Sequence, residues 1–196
     1  MNSRAQHKKQ MRQDILDAAS AIIVQEGIRQ LTIRKIAAVI GYSVPMVYEH
    51  FLNKEALLKE LQKEWLQNMQ DMIQTIYFHE KDPTIALEKI AVAYLKFAQE
   101  KPDFYRAVMG LDLSQIEGKD DFYEIHTLRM VLKEIIQQIL GGQAALDVLE
   151  DQVDLFRSFL HGVVALMLVN KIKGGEARAL ALVKSGVNAV AQKLTR

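Results

Sequence analysis

The amino-acid sequence predicts an all-α fold, on three observations. Apolar residues recur at three- and four-residue spacing along most of the chain, the period of one helix face. No stretch alternates apolar and polar residues as a half-buried strand does. The prolines number only three, Pro45, Pro83 and Pro102, and most glycines fall between periodic segments or near their ends.

The first helix is expected from about Gln10 to Glu26, with Ile15, Ala18, Ala19, Ile22 and Ile23 on one face and Gly27 as its stop. Thr32 is a natural N-cap for a short helix, Ile33–Val39, with Ile33, Ile36, Ala37 and Ile40 as its apolar positions. Gly41 follows, where a tight turn favours a left-handed backbone. Ser43 is positioned to cap the next short helix, Val44–His50, and Pro45 sits in its first turn, where a missing amide proton costs nothing. Val44, Val47 and Tyr48 form its packing face, with Phe51 in the turn after it. Asn53 then caps a long helix from Lys54 to about Tyr77, and Glu55 lies near its positive end.

Farther on, Asp82 caps and Pro83 opens a helix with the stripe Leu87, Ile90, Ala91, Tyr94, Leu95 and Ala98. A short helix around Phe104–Met109 precedes a loop over about Gly110–Lys119. A long helix from about Asp121 to Leu140 ends at Gly141 and Gly142. The next, from about Ala145 to Lys171, is apolar on nearly all sides in its second half, which calls for burial on more than one face. The last helix carries Leu180, Val183, Val187, Val190 and Leu194.

With 196 residues, 49% hydrophobic and 25% charged, the chain has an ordinary globular composition and enough length for a sizeable core. It has no cysteine, which excludes disulfides and thiolate metal sites and fits a cytoplasmic location. The start, MNSRAQHKKQMRQD, is basic and polar rather than an apolar leader. The most apolar stretch, Phe159 to Val169, is interrupted by His161 and too short to span a bilayer, so no membrane partner is expected. Net charge is +1, but Arg4, Lys8, Lys9, Arg12, Arg29, Arg34, Lys35 and Lys54 gather at the front against Asp14, Asp17, Glu26, Glu49 and Glu55. That is either a phosphate footprint or a solvated front end.

Thr32–Ile40, the turn Gly41-Tyr42-Ser43 and Val44–His50 have the form of a helix-turn-helix, whose second helix enters the DNA major groove. Ile15, Ala19, Ile22, Leu31, Ile36, Ala37, Ile40, Val47 and Phe51 are its expected core. Thr32, Arg34, Tyr42, Ser43, Tyr48, His50 and Lys54 are candidates on the DNA side, mostly for phosphate. Tyr42, Pro45 and Met46 offer apolar surface to a thymine methyl. The second helix has no arginine, so readout is expected to use shape or water.

Residues 12–58, RQDILDAASAIIVQEGIRQLTIRKIAAVIGYSVPMVYEHFLNKEALL, closely resemble the TetR family signature. The match lies in the IL and AA of the first helix, the EG break, LTIRKIA, the G-x-S before the second short helix, VYEHF and NKEALL. The resemblance implies about nine helices: an N-terminal three-helix helix-turn-helix head, a fourth connecting helix, and a helical ligand-binding and dimerisation domain. The last two helices would pair with a second subunit. Such proteins usually repress from palindromic operators and leave DNA when a small molecule occupies the body. Lys54 matches the lysine that meets a phosphate, and Tyr48 and His50 the pair that approach the backbone. Tyr42, Pro45 and Met46 fall at variable base-reading positions. Pro45 stands where many members have glycine or another small residue, so the operator sequence stays open.

The domains expected are 1–53, the DNA-binding head, and 54–196, the sensing and dimerising body. Trp65, Met69, Tyr94, Phe97, Phe104, Tyr105, Met109, Phe122, Met130 and Phe156 are candidates for lining a pocket for a small hydrophobic effector, although residues of these types at helical spacing also build ordinary cores. Phe159, Gly162, Val163, Met167, Leu180, Val183, Val187 and Val190 are the candidate homodimer interface, and a charge at Val164 or Val187 is expected to give weak or monomeric protein. His161 reads as a satisfied interior or interface polar group.

No cofactor, metal or catalysis is expected. The chain lacks a cysteine nucleophile, an HExxH motif and a glycine-rich phosphate loop, and Asp120, Asp121 and His126 read more simply as capping and solvation than as a metal site. The competing reading is a non-catalytic helical partner-binding protein with a degenerate DNA-binding head.

Overall fold

The computed structural model describes residues 3–108, 123–142 and 144–194. Among them the chain forms α1 (Ser3–Glu26), a 3-10 turn (Ile28–Gln30), α2 (Ile33–Ile40), α3 (Val44–Tyr48), α4 (Lys54–His79), α5 (Pro83–Glu100), α6 (Pro102–Val108), α7 (Tyr123–Ile139), α8 (Leu146–Leu168) and α9 (Gly175–Leu194). The all-α reading is thus observed, with no strand among the described residues.

Two compact units share the chain. Among the described residues, one comprises 3–65 and 103–108; the other comprises 66–102 and those from 123 to the end of α9. The division falls inside α4, later than the 53/54 boundary expected from the sequence. The reason is local: Arg12 pairs with Glu60 at 3.4 Å and Gln13 bonds Glu64 at 3.2 Å, so the first half of α4 is tied to α1.

In the first unit, α1 buries Met11, Ile15, Leu16, Ala18, Ala19, Ile22 and Ile23. It begins at Ser3, about two turns before the apolar periodicity does. The extra turns contain Arg, Ala, Gln and Lys, which favour helix without needing a buried face. Thr32 caps α2 as expected, its hydroxyl accepting from the Lys35 amide at 3.2 Å. Gly41 ends α2 in the left-handed conformation with φ 72°. Leu31, Ile36, Ala37, Val47 and Phe51 are buried, while Ile40, the last residue of α2, is only half-buried.

Helix α3 is shorter than expected, ending at Tyr48. The amides of His50 and Phe51 both turn back onto the Val47 carbonyl, at 3.1 and 3.0 Å, and close the helix. Ser43 makes no side-chain cap bond. Pro45 has no amide to offer it, and the Met46 amide is taken by the Ser43 carbonyl at 3.1 Å.

In the second unit, α5 packs against α7, α8 and α9, and α8 against α7 and α9. Asp82 caps α5 by accepting from the amides of Thr84 and Ile85 at 2.8 and 3.1 Å. Arg129 of α7 reaches Asp154 and Glu150 of α8, and Lys133 also reaches Glu150. Helix α8 stops before Lys171 because Asn170 adopts φ 55° and the Lys171 amide returns to the Leu166 carbonyl at 2.8 Å.

Candidate nucleic-acid interface

Helices α2 and α3 and their glycine turn present one face outward. Val47 is fully buried and fixes the back of α3. Tyr42, Ser43, Pro45, Tyr48 and Glu49 are exposed, and Met46 is half-buried. Of the candidate base-reading residues, Tyr42 and Pro45 are thus fully accessible and Met46 partly so. Arg34 points outward from α2, and Thr32 is exposed while its hydroxyl serves as the cap.

Lys54 is half-buried at the start of α4. Its ammonium lies 3.5 Å from the Ile28 carbonyl, a long bond that a phosphate oxygen could replace. His50 is half-buried beyond the end of α3. Its pKa is lowered by burial first, then by the nearby positive charges of Lys8 and Arg12, with Glu49 opposing.

Two residues outside the predicted site hold this geometry. Arg12 of α1 donates to the His50 carbonyl at 2.6 Å and lies over the Phe51 ring at 4.1 Å. Asp103, in the first turn of α6, accepts from the Ile28 amide at 3.1 Å and pairs with Arg106 at 2.9 Å. In the sequence Arg12 is one more cation of the basic front end, and Asp103 is one more polar residue ahead of a short helix. Neither contact has a local sequence signal, because the partners are distant in the chain.

The candidate effector residues differ in burial. Trp65, Met69, Tyr94, Tyr105 and Phe156 are buried, whereas Met130 is 45% exposed. Met109 and Phe122 lie outside the described residues, as does the side chain of Phe104. Phe97 lines a surface groove of about 540 Å³ in the second unit, whose apolar part includes Met72, Ile76, Val92 and Ala93. Gln62 is a buried polar residue absent from the sequence reading, and its side-chain oxygen meets no donor among the described residues.

The candidate dimer residues divide likewise. Val163, Met167, Val183 and Val187 are buried within the protomer, as is Val164. Phe159 lies against α9, where a Cβ on Gly186 would come within 2.1 Å of its ring, so this close approach requires glycine. Gly162 has open space beside it, and Leu180 and Val190 are half-buried. The large apolar residues exposed on α8 and at its C-cap are Leu146 and Val148 near its start, then Leu155, Leu166 and Val169, these last three each more than half exposed. With Phe159 and Gly162 between them, the last three positions alternate by four and three residues, the spacing of a helix-pairing seam.

Among the described residues, no group of three His, Asp or Glu is arranged to hold a metal, and no helix is long and apolar enough to cross a membrane.

A three-helix head with a tight glycine turn and an outward second helix, followed by a helical body, defines a helix-turn-helix DNA-binding regulator. The chain belongs to the TetR family: the family model for bacterial regulatory proteins of the tetR family matches residues 15–61, and that for the tetracyclin repressor-like C-terminal domain matches residues 87–190. The chain is 26% identical over 153 residues to the uncharacterized HTH-type transcriptional regulator YobS of Bacillus subtilis (strain 168), covering 78% of this chain and 76% of that protein. It is 28% identical over 142 residues to the nucleoid occlusion factor SlmA of Edwardsiella ictaluri (strain 93-146), covering 68% and 72%. Its fold is similar to that of the TetR family transcriptional regulator PfmR from Thermus thermophilus, with a TM-score of 0.64, 18% identity and coverage of 91% and 97%. The family comprises DNA-binding regulators rather than enzymes.

Proposed function

We propose that the protein is a ligand-responsive transcriptional repressor that binds a palindromic operator as a homodimer and leaves it when a small hydrophobic molecule occupies the body. The DNA-binding half of this reading is carried by α3: its back is pinned by buried Val47 while Tyr42, Pro45 and Tyr48 are free to face base edges and phosphates. The homodimer is supported by the outward apolar seam of α8, since two-fold pairing of like surfaces is the common way to bury such a face. The effector is supported by membership of a family with a tetracyclin repressor-like C-terminal domain.

Release would follow a shift between two states. The effector must bind better to a form in which the two heads are mis-spaced for successive major grooves, roughly 34–36 Å apart. Helix α4 is the natural lever, because its first half belongs to the first unit and its second half to the second. The test is selection of bound fragments from a pool of random duplex DNA by the purified protein. Recovery of a palindrome supports the reading. Failure to enrich any sequence, with the protein folded and binding tried at low and moderate salt, overturns it.

A further inference from the structure

We propose that the first turns of α1 form a phosphate clamp beside the recognition helix, made by Arg4 and Lys8, which holds the DNA strand without reading its sequence. This rests on the DNA-binding reading above and adds a contact element to it.

Arg4, His7, Lys8 and Met11 follow one another at three-, one- and three-residue steps, which puts them on one side of α1. Met11 is buried and anchors that side to the unit, while Arg4, His7 and Lys8 are exposed. These four residues form one wall of a groove of about 640 Å³. Met46, Glu49 and His50, from α3 and the turn after it, form the other wall. The groove is therefore continuous with the reading surface.

Its charge suits a phosphate. Neither Arg4 nor Lys8 has an ion-pair partner among the described residues, and Glu49 is the single carboxylate in the lining. Histidines aside, two full cations, Arg4 and Lys8, face one anion, Glu49. The carboxylate sits on the α3 wall, so a phosphate belongs on the α1 wall. A helix in the major groove, about 12 Å wide, has a phosphate backbone along each edge, and elements flanking it lie over those edges. The wall of α1 beside Met46 and His50 has that position. It also accounts for basic helical turns that bury little except Met11.

Each phosphate neutralised releases condensed counterions and contributes about 0.9 to the salt slope of log affinity on duplex DNA. The experiment compares wild type with the Arg4→Gln/Lys8→Gln variant on a duplex of random sequence over a range of salt, with circular dichroism to verify that both are folded. Glutamine keeps helix propensity and removes the charge. The double variant is expected to lower the slope by about two for each head engaged, and each single variant by about one. The fragments it enriches from a random pool should carry the same sequence as those of wild type. A slope unchanged from wild type overturns the clamp alone. Wild-type binding with no salt dependence overturns both the clamp and the DNA-binding reading beneath it. A changed sequence preference with an unchanged slope would make these side chains base readers and also overturns the clamp.

Discussion

Arg12 Nη1 donates a hydrogen bond to the His50 carbonyl at 2.6 Å, and the same guanidinium lies 4.1 Å from the centre of the Phe51 ring. One side chain of α1 thus holds the chain where it leaves the recognition helix. Its pairing with Glu60 at 3.4 Å adds a tie to α4, but both partners are more than a third exposed, so that pair contributes little. Arg12→Met keeps the stem and removes the donor and the charge. It is expected to cost about 1–2 kcal/mol of stability in urea unfolding. It should also weaken operator binding more than binding to random DNA, because it loosens the orientation of α3. Equal losses on both DNAs would reduce Arg12 to an ordinary phosphate contact.

The turn after α1 makes a second prediction. Gly27 has φ 90°, and a Cβ there would lie 3.0 Å from Asp103 Oδ2, the atom that accepts from the Ile28 amide. Gly27→Ala meets both a disfavoured backbone and this oxygen, so it should cost at least about 1 kcal/mol. Asp103→Ala leaves the Ile28 amide without its acceptor and should cost about 1–2 kcal/mol, while Asp103→Asn retains an acceptor oxygen and stays nearer wild type. Denaturant midpoints of the three variants check the order. An Asp103→Ala midpoint equal to wild type would mean that water replaces the carboxylate freely.

Helix positions and caps were legible because they are local. Thr32, Asn53 and Asp82 each cap the helix that follows them, with Asn53 accepting from the Ala56 amide at 2.8 Å. On α3 the sequence pattern places Val44, Val47 and Tyr48 inside; Val47 is fully buried, but Tyr48 is exposed, because the helix ends there and buries only Val47. What the sequence could not separate was buried from exposed on the all-apolar α8. Val163 and Leu166 look alike in a periodicity plot, yet one is buried within the protomer and the other is more than half exposed. That choice depends on how α7 and α9 flank α8, and long-range packing leaves no short-range mark. Arg12 and Asp103 escaped for the same reason.

The same distinction changes how the dimer should be tested. A charge at Val164 or Val187 would unfold the protomer, since both are fully buried, and would say nothing about pairing. Leu155 and Leu166 are 58% and 51% exposed on the α8 seam. Leu155→Glu and Leu166→Glu are therefore expected to leave helix content and protomer folding intact while shifting sedimentation from dimer to monomer. Placed together across a two-fold contact, the new carboxylates would be desolvated and mutually repelled, a cost of several kcal/mol in the associated state. A dimer that survives both changes would place the interface elsewhere.

His161 supplies a pH dependence whose sign follows from its surroundings. It is half-buried on α8, and its pKa is lowered from 6.5 by burial first and then by the positive charge of Arg157, which itself bonds Asp154 at 3.3 Å. The folded state thus binds a proton less readily than the unfolded chain does. The stabilisation is fully present above pH 6.5 and is lost as pH falls through the folded-state value. Urea midpoints should therefore decline from about pH 7 to about pH 5, a window in which ordinary carboxylates change little. His161→Gln should flatten part of that decline. His50, also lowered by burial, carries another part with the same sign, so the His50→Gln/His161→Gln variant should be the flattest. Wild type and variants must be compared at one protein concentration, because association would add its own stability. A decline identical in wild type and His161→Gln would mean that protonated His161 is accommodated in the fold without cost.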